Sequence, residues 1–305
     1  MRRLAVVLLI VAACVWPFLY FNRYFLHIGV MMGIMATLAL SVNLLLRIGQ
    51  LSMAHAAFMG LGAYISALLT LRLHVPFAAA FLGSGVLVAL FARVLGPIVL
   101  RIKGVYFVLL TFALGEVINL IFQAWVGLFG GNNGLFGIPK ASLFGVRMLD
   151  IRFYYLAGLA LTGFAYASVR ALFRSDAGAI LDSLDENEIL ACSLGTDAMR
   201  WRVAVFVLSS FLAALSGSLY AHYLGFISPD AFSFWTVVNV VVINVIGGIA
   251  SPLGPVLGAL LLVPLPELLR DAKQYQVLSY GVLLIVFLLF LPDGLVGLRR
   301  RINGR

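Results

Sequence analysis

The sequence predicts an all-helical, polytopic membrane protein of about ten transmembrane helices, and three observations carry that prediction. First, 63% of the 305 residues are hydrophobic and only 11% are charged, where a soluble domain carries about 25% charged residues. Second, charge-free runs recur at lengths near the roughly 20 residues that cross a bilayer. Third, Lys and Arg gather between alternate runs, as they do on the inner side of membrane proteins. A chain with mean hydropathy +1.09 cannot cover itself with polar surface in water, whereas an apolar exterior is at home in lipid.

Taken in order, the runs place spans near 4–21, 26–46, 54–71, 77–96, 105–126, 153–173, 203–224, 232–249, 254–270 and 277–296. Residues 231–266 hold no charge and are too long for one helix; Gly247, Gly248, Pro252, Gly254 and Pro255 divide them. Pro264 and Pro266 interrupt the ninth run. Met1-Arg2-Arg3 and the apolar run behind it have the outline of a cleaved leader. That run continues through Trp16-Pro17-Phe18 with no small-x-small site, so it is read as a retained helix.

With both termini in the cytoplasm, the inner side holds Arg2, Arg3, Arg47, Arg93, Arg101, Lys103, Arg170, Arg174, Arg200, Arg202, Arg299, Arg300, Arg301 and Arg305, 14 of the 21 basic residues. The net charge of +9 thus reports topology, and scattered helix-end charges exclude a nucleic-acid reading. Cys14 and Cys192 fall in a span and an inner loop, which suits neither a disulfide nor a metal framework. None of Lys103, Lys140 and Lys273 follows a glycine, so no phosphate-binding loop is present. No cofactor is expected.

Two loops exceed a connector. Residues 127–152, expected outside, contain Gly130-Gly131-Asn132-Asn133-Gly134, read either as a plain turn or as a gating or docking element. Residues 174–202, expected inside, hold six of the 12 acidic residues. There Asp185 and Glu188 form a capping-box pattern, Ile189, Leu190 and Leu194 an apolar face, and Gly195 a helix end. Thr196 or Asp197 can cap the helix that follows. The pattern predicts a short helix at 186–194, which is too short to stand alone and needs a partner surface.

Here the sequence resembles a known family. Residues 186–195, Glu-Asn-Glu-Ile-Leu-Ala-Cys-Ser-Leu-Gly, resemble the ATPase-docking loop of ATP-binding-cassette importer permeases, in particular the M-type subunit of branched-chain amino-acid importers. Three further stretches agree: Gly49-Gln50-Leu51-Ser52 with the run from Met53 to Tyr64, the segment YFVLLTFALGE from Tyr106 to Glu116, and Gly247 through Pro255. The resemblance covers residues 40–298. It implies a single permease domain over 1–305, with the ten-helix fold of ribose-type importers and a docking loop at 174–202. It also implies a second homologous permease, two cytoplasmic ATP-binding subunits and an external substrate-binding protein as partners, in a bacterial inner membrane. Branched-chain amino acids are the implied cargo, with urea or short amides as the alternative. The docking loop departs from the family in its acidic stretch from Leu181 to Asp185, which suits an ATPase with a basic groove.

On this reading Leu190, Ala191, Leu194 and Gly195 make the apolar docking contact, while Glu186 and Glu188 beside Asn187 supply charge complementarity. Glu116 is the only acid deep in a span and either lines the pathway or bonds to a neighbour such as Asn119. Asn43, Asn119 and Asn244 are pathway candidates; for Asn43 and Asn244, as for Asn239, the simpler role is interhelical hydrogen bonding. His55 is a pathway candidate or a packing and capping residue beside Gln50 and Ser52, and His222 belongs to an interfacial belt. Small residues four apart, Gly29/Gly33, Ala56/Gly60, Ala213/Gly217/Ala221 and Gly254/Gly258, mark close packing within the subunit or against a partner. An ion-coupled transporter fits less well, since such proteins carry several intramembrane charges. An enzyme fits worst, since His27, His55, His74 and His222 are dispersed.

Overall fold

The computed structural model describes residues 22–143, 146–147, 150–268, 275–290 and 294–297. Its helices are α1 (Arg23–Leu46), α2 (His55–Arg72), α3 (Phe77–Val99), α4 (Val105–Ala124), the single turn α5 (Val126–Phe129), α6 (Ile151–Arg174), α7 (Asp176–Glu186) and α8 (Glu188–Ser193). There follow α9 (Ala198–Leu224), α10 (Phe234–Gly247), α11 (Leu253–Leu262), α12 (Leu265–Leu268) and α13 (Gln276–Phe290). Two antiparallel ribbons interrupt the helical pattern: β1 (Leu135–Phe136) pairs with β4 (Phe226–Ile227), and β2 (Ser142–Leu143) with β3 (Val146–Arg147).

Each expected span from the second to the tenth coincides with a helix; the first, 4–21, lies outside the described residues. Among the described residues, six segments are long and apolar enough to cross a membrane: α1, α3, α4, α6, α9, and Pro229–Gly247, which ends in α10. Helix α2 is 18 residues long and mostly buried, so its small and polar side chains, Ser66 and Thr70 among them, meet protein and not lipid. The expected ninth span breaks at its prolines, with α11 stopping at Leu262 before α12.

Burial sorts the helices into a centre and a rim. In the most apolar window, 72% of α1 and 67% of α9 is buried, against 28% for α3 and α4 and 22% for α6. The rim exposes Leu87, Leu90 and Val94 on α3 and Leu109, Val117 and Leu120 on α4, which is stable only against lipid or another apolar chain. In the centre, small residues let backbones meet. A Cβ on Gly62 would stand 2.2 Å from the Ala214 carbonyl oxygen, and one on Gly33 2.9 Å from the Gly158 carbonyl carbon. These small-residue stripes therefore join helices within the subunit.

The loops segregate to two ends. The segment 174–202 lies at the end that also carries Arg47 and Lys103, here called the acidic-loop end. The segment 127–147 lies at the other, glycine-loop end, where Arg72 Nη2 donates to the Gly127 carbonyl.

Candidate functional site

At the acidic-loop end the chain forms two short helices. The expected helix at 186–194 is corrected here: Asp185 lies in the last turn of α7, and α8 begins only at Glu188. The cap is Asn187, whose extended backbone breaks the helix and whose side-chain oxygen accepts from Leu190 N at 3.1 Å. Asp185 does not cap α8 but sits in the helix before it, with its carboxylate close to Gly49 of the Gly49-Gln50-Leu51-Ser52 stretch. Gly195 does end α8, at φ +90, a conformation that favours glycine. Asp197 caps α9 through Arg200 N at 3.1 Å.

The faces of α8 differ from the expected docking set in two residues, Ala191 and Glu188. Ala191 is buried, packed with Leu184 and Ala198 beside Ile180 and Trp201, so it cannot contact a partner. Ile189, Leu190 and Leu194 are exposed by 82%, 59% and 80%. Two large aliphatic side chains therefore stand on a six-residue helix and a third on its C-cap, beside exposed Asp182, Asp185 and Glu186.

Glu188 is committed internally. Arg202 Nη1 and Nη2 donate to its Oε1 and Oε2, each at 3.0 Å, in the bidentate geometry that makes such pairs strong. Lys103, from the turn before α4, donates to Oε2 as well. Sequence analysis missed this cluster, although the charge bias had placed all three residues on one side. Burial alone raises the Glu188 pKa, but the bonds and charges of Lys103 and Arg202 outweigh it and hold the carboxyl below its ordinary value. A depressed folded pKa means the stabilisation is complete above the ordinary value of 4.5 and is lost as pH falls through the lower folded value. Protection of the 186–194 amides, taken relative to their intrinsic exchange rate at each pH, is accordingly expected to fall over that acidic window, and in Glu188→Gln to be low already at neutral pH. A flat profile in the unsubstituted protein contradicts the assignment.

The intramembrane candidates separate into two groups. Asn43 and Asn244 are buried and donate to the carbonyls of Ile249 and Ala39, each at 3.0 Å, tying α1 to α10 and the turn after it. Asn119 donates to Pro229 O at 3.3 Å and accepts from Gln123 at 3.0 Å, so it is not the partner of Glu116. His55 is fully buried with its ring edge-on to Phe58. Asn239 is exposed on α10, so it does not join helices within the subunit. Glu116 is half-buried on α4 and lines a small, open cleft with Met53, Ala57, Phe112, Phe232, Ser233 and Phe234. The cleft lies where α2, α4 and α10 converge. Among the described residues no side chain makes an ion pair with the Glu116 carboxylate.

At the glycine-loop end His222 is fully buried, not in an interfacial belt. Its Nδ1 faces the Pro139 carbonyl at 2.8 Å, which requires a proton there, so Nε2 accepts from Ser66 Oγ at 2.9 Å. Ser218 in turn donates to Ser66 at 2.7 Å.

Comparison with known proteins agrees with this architecture. The family described as "Branched-chain amino acid transport system / permease component" matches residues 24–291. The high-affinity branched-chain amino acid transport system permease protein LivM of Escherichia coli (strain K12) is 30% identical over 323 aligned positions, covering 98% of this chain and 76% of the relative. LivM of Salmonella typhimurium (strain LT2) matches with the same identity and coverage. No solved structure matches. Six long apolar helices and a family match over nearly the whole length lead to one assignment: the chain belongs to the permease-component family of branched-chain amino-acid transport systems, as a multi-pass transport subunit and not an enzyme.

Proposed function

We propose that the chain forms half of the membrane channel of an ATP-driven importer and passes leucine, isoleucine and valine into the cell. The observation that carries this reading is the apolar tip of α8. Ile189, Leu190 and Leu194 are exposed in a loop between long apolar helices, and such a patch on an acidic surface calls for a protein partner. That partner is a cytoplasmic ATP-binding subunit, whose cleft takes the aliphatic tip and whose basic rim meets Asp182, Asp185 and Glu186. A second ATP-binding subunit serves a homologous permease, which packs on the exposed faces of α4 and α10. An external binding protein delivers the cargo at the glycine-loop end. The acidic-loop end is then cytoplasmic, with both termini, as the distribution of Lys and Arg favours.

Glu116 supports the choice of cargo. A carboxylate at membrane depth without an ionic partner must face water or a ligand. Set among Phe112, Phe232 and Phe234, it suits a solute with an ammonium group and an aliphatic side chain. Urea and short amides are neutral and offer it no charge. Cells expressing the full complex are expected to accumulate labelled leucine and not labelled urea; urea uptake alone moves the assignment to amides. Glu116→Gln is expected to lower leucine uptake roughly tenfold, as loss of one charge-assisted bond of about 1.5 kcal/mol implies. Assembly should be intact, and loss of assembly instead assigns Glu116 to the subunit interface.

A further inference from the structure

Tyr64 lies midway along α2 and is fully buried, yet among the described residues no group bonds to its hydroxyl. A buried hydroxyl without a partner costs stability, and phenylalanine at this position would keep the ring without that cost. The ring sits in a box of phenylalanines, with the centroids of Phe122, Phe129 and Phe232 at 4.3, 5.3 and 6.0 Å. Phe122 and Phe129 come from the glycine-loop end of α4 and from α5, whereas Phe232 closes the 3-10 turn Pro229–Phe232.

Of these four rings, only Phe232 also lines the Glu116 cleft, so it is the wall between the cleft and the box. Gly60 gives it room, since a Cβ there would meet the rings of Phe122 and Phe232 at 2.9 and 3.0 Å. Asn119 holds the turn by donating to Pro229 O at 3.3 Å. The same turn carries Asp230, exposed just beyond β4, whose charge is felt at the Tyr64 hydroxyl. Two carboxylates therefore flank the box, Asp230 toward the glycine-loop end and Glu116 in the cleft. Ala57 of the cleft precedes Tyr64 by about 10 Å along α2, toward the acidic-loop end.

We infer that Tyr64 is a contact on the route of the solute: its hydroxyl oxygen accepts a hydrogen bond from the ammonium group of the amino acid as it passes from Asp230 to Glu116, once Phe232 turns aside. Between the two carboxylates the ammonium crosses a stretch walled by aromatic rings, where a bare charge is most disfavoured. Ring faces attract a cation there, and the phenolic oxygen adds a lone pair. The negative charges on both sides disfavour the solute's carboxylate at the same place. A contact made only at this crossing lowers the barrier and not the wells beside it, so it acts on rate. The inference rests on the reading of Glu116 above and adds the step that precedes it.

The test is leucine uptake by the full complex in proteoliposomes, with the leucine-loaded binding protein titrated and the Tm of the complex measured alongside. Tyr64→Phe is expected to lower the maximal uptake rate roughly tenfold, the worth of one hydrogen bond to a charged group. The half-saturating concentration of loaded binding protein should stay unchanged, and Tm should be equal or higher. An unchanged maximal rate overturns the inference. A lower Tm also overturns it, because the hydroxyl then bonds within the protein. A raised half-saturating concentration at unchanged maximal rate does so as well, by assigning Tyr64 to docking of the binding protein. Glu116→Gln separates the two readings. Normal uptake in Glu116→Gln removes the ammonium reading itself, whereas slowed uptake there beside a normal Tyr64→Phe sinks this inference alone.

Discussion

Gly217→Ala is expected to deplete the folded subunit from the membrane and to lower its melting temperature. A Cβ at this position would stand 1.8 Å from the Met59 carbonyl oxygen and 2.7 Å from its carbon. Both are backbone atoms of α2, so no rotamer change relieves the clash. Nor can α2 tilt away locally, because Gly62 brings it equally close to Ala214 on the same helix α9. Overpacking in a core typically costs about 1–3 kcal/mol, and separating two backbones lies at the upper end of that range or beyond it. The loss reaches further than one contact, since α9 is, after α1, the most buried of the six long apolar segments. Gly163→Ala is the control: the residue is exposed on α6, nothing lies within 4 Å of its Cβ, and alanine is the better helix former. Thermal unfolding in detergent should place Gly217→Ala several degrees below the unsubstituted chain and Gly163→Ala level with it or above. Equal melting of Gly217→Ala and the unsubstituted chain removes the basis for the α2–α9 contact.

What could be read from sequence was what depends on short range or on composition. Charge-free runs located helices because a spanning segment must satisfy its own backbone. The prolines at 264 and 266 foretold the break between α11 and α12 for an equally local reason. Gly195 as the end of α8 and Asp197 as the cap of α9 were legible for the same cause. The cap of α8 was misread because the local pattern allows Asp185 and Asn187 alike, whereas in the fold Asp185 belongs to the last turn of α7 and the extended backbone falls at Asn187. Ala191 looked like part of the docking face for want of the α7 and α9 surfaces that bury it. Burial of His222 was beyond reach because its partners, Ser66 and Pro139, lie 156 and 83 residues away. Glu188 shows a middle case: the positive-inside bias put Lys103 and Arg202 on its side of the membrane, but only the fold brings them to one carboxylate.

Leu194→Asp is expected to abolish uptake by detaching the ATP-binding subunits while leaving the permease inserted and folded. The residue is 80% exposed, follows the last turn of α8, and adjoins Gly195, whose left-handed backbone sends the chain back toward α9. No buried contact within the subunit is lost on substitution, so the folded chain has little reason to lose stability. In the docked complex the same carboxylate would enter an apolar cleft, where an unpaired charge is strongly disfavoured. The neighbouring Asp182, Asp185 and Glu186 already load this surface with negative charge, and a further acid sharpens the mismatch. Leu194→Ala is a milder companion, removing about 1.5–3 kcal/mol of burial at most and weakening association without abolishing it. Co-purification from detergent, with Tm of the permease measured in parallel, separates the outcomes. Detachment at unchanged Tm is the expected result; retention of the ATP-binding subunits by Leu194→Asp leaves α8 without its assigned partner, and the apolar tip then requires another explanation.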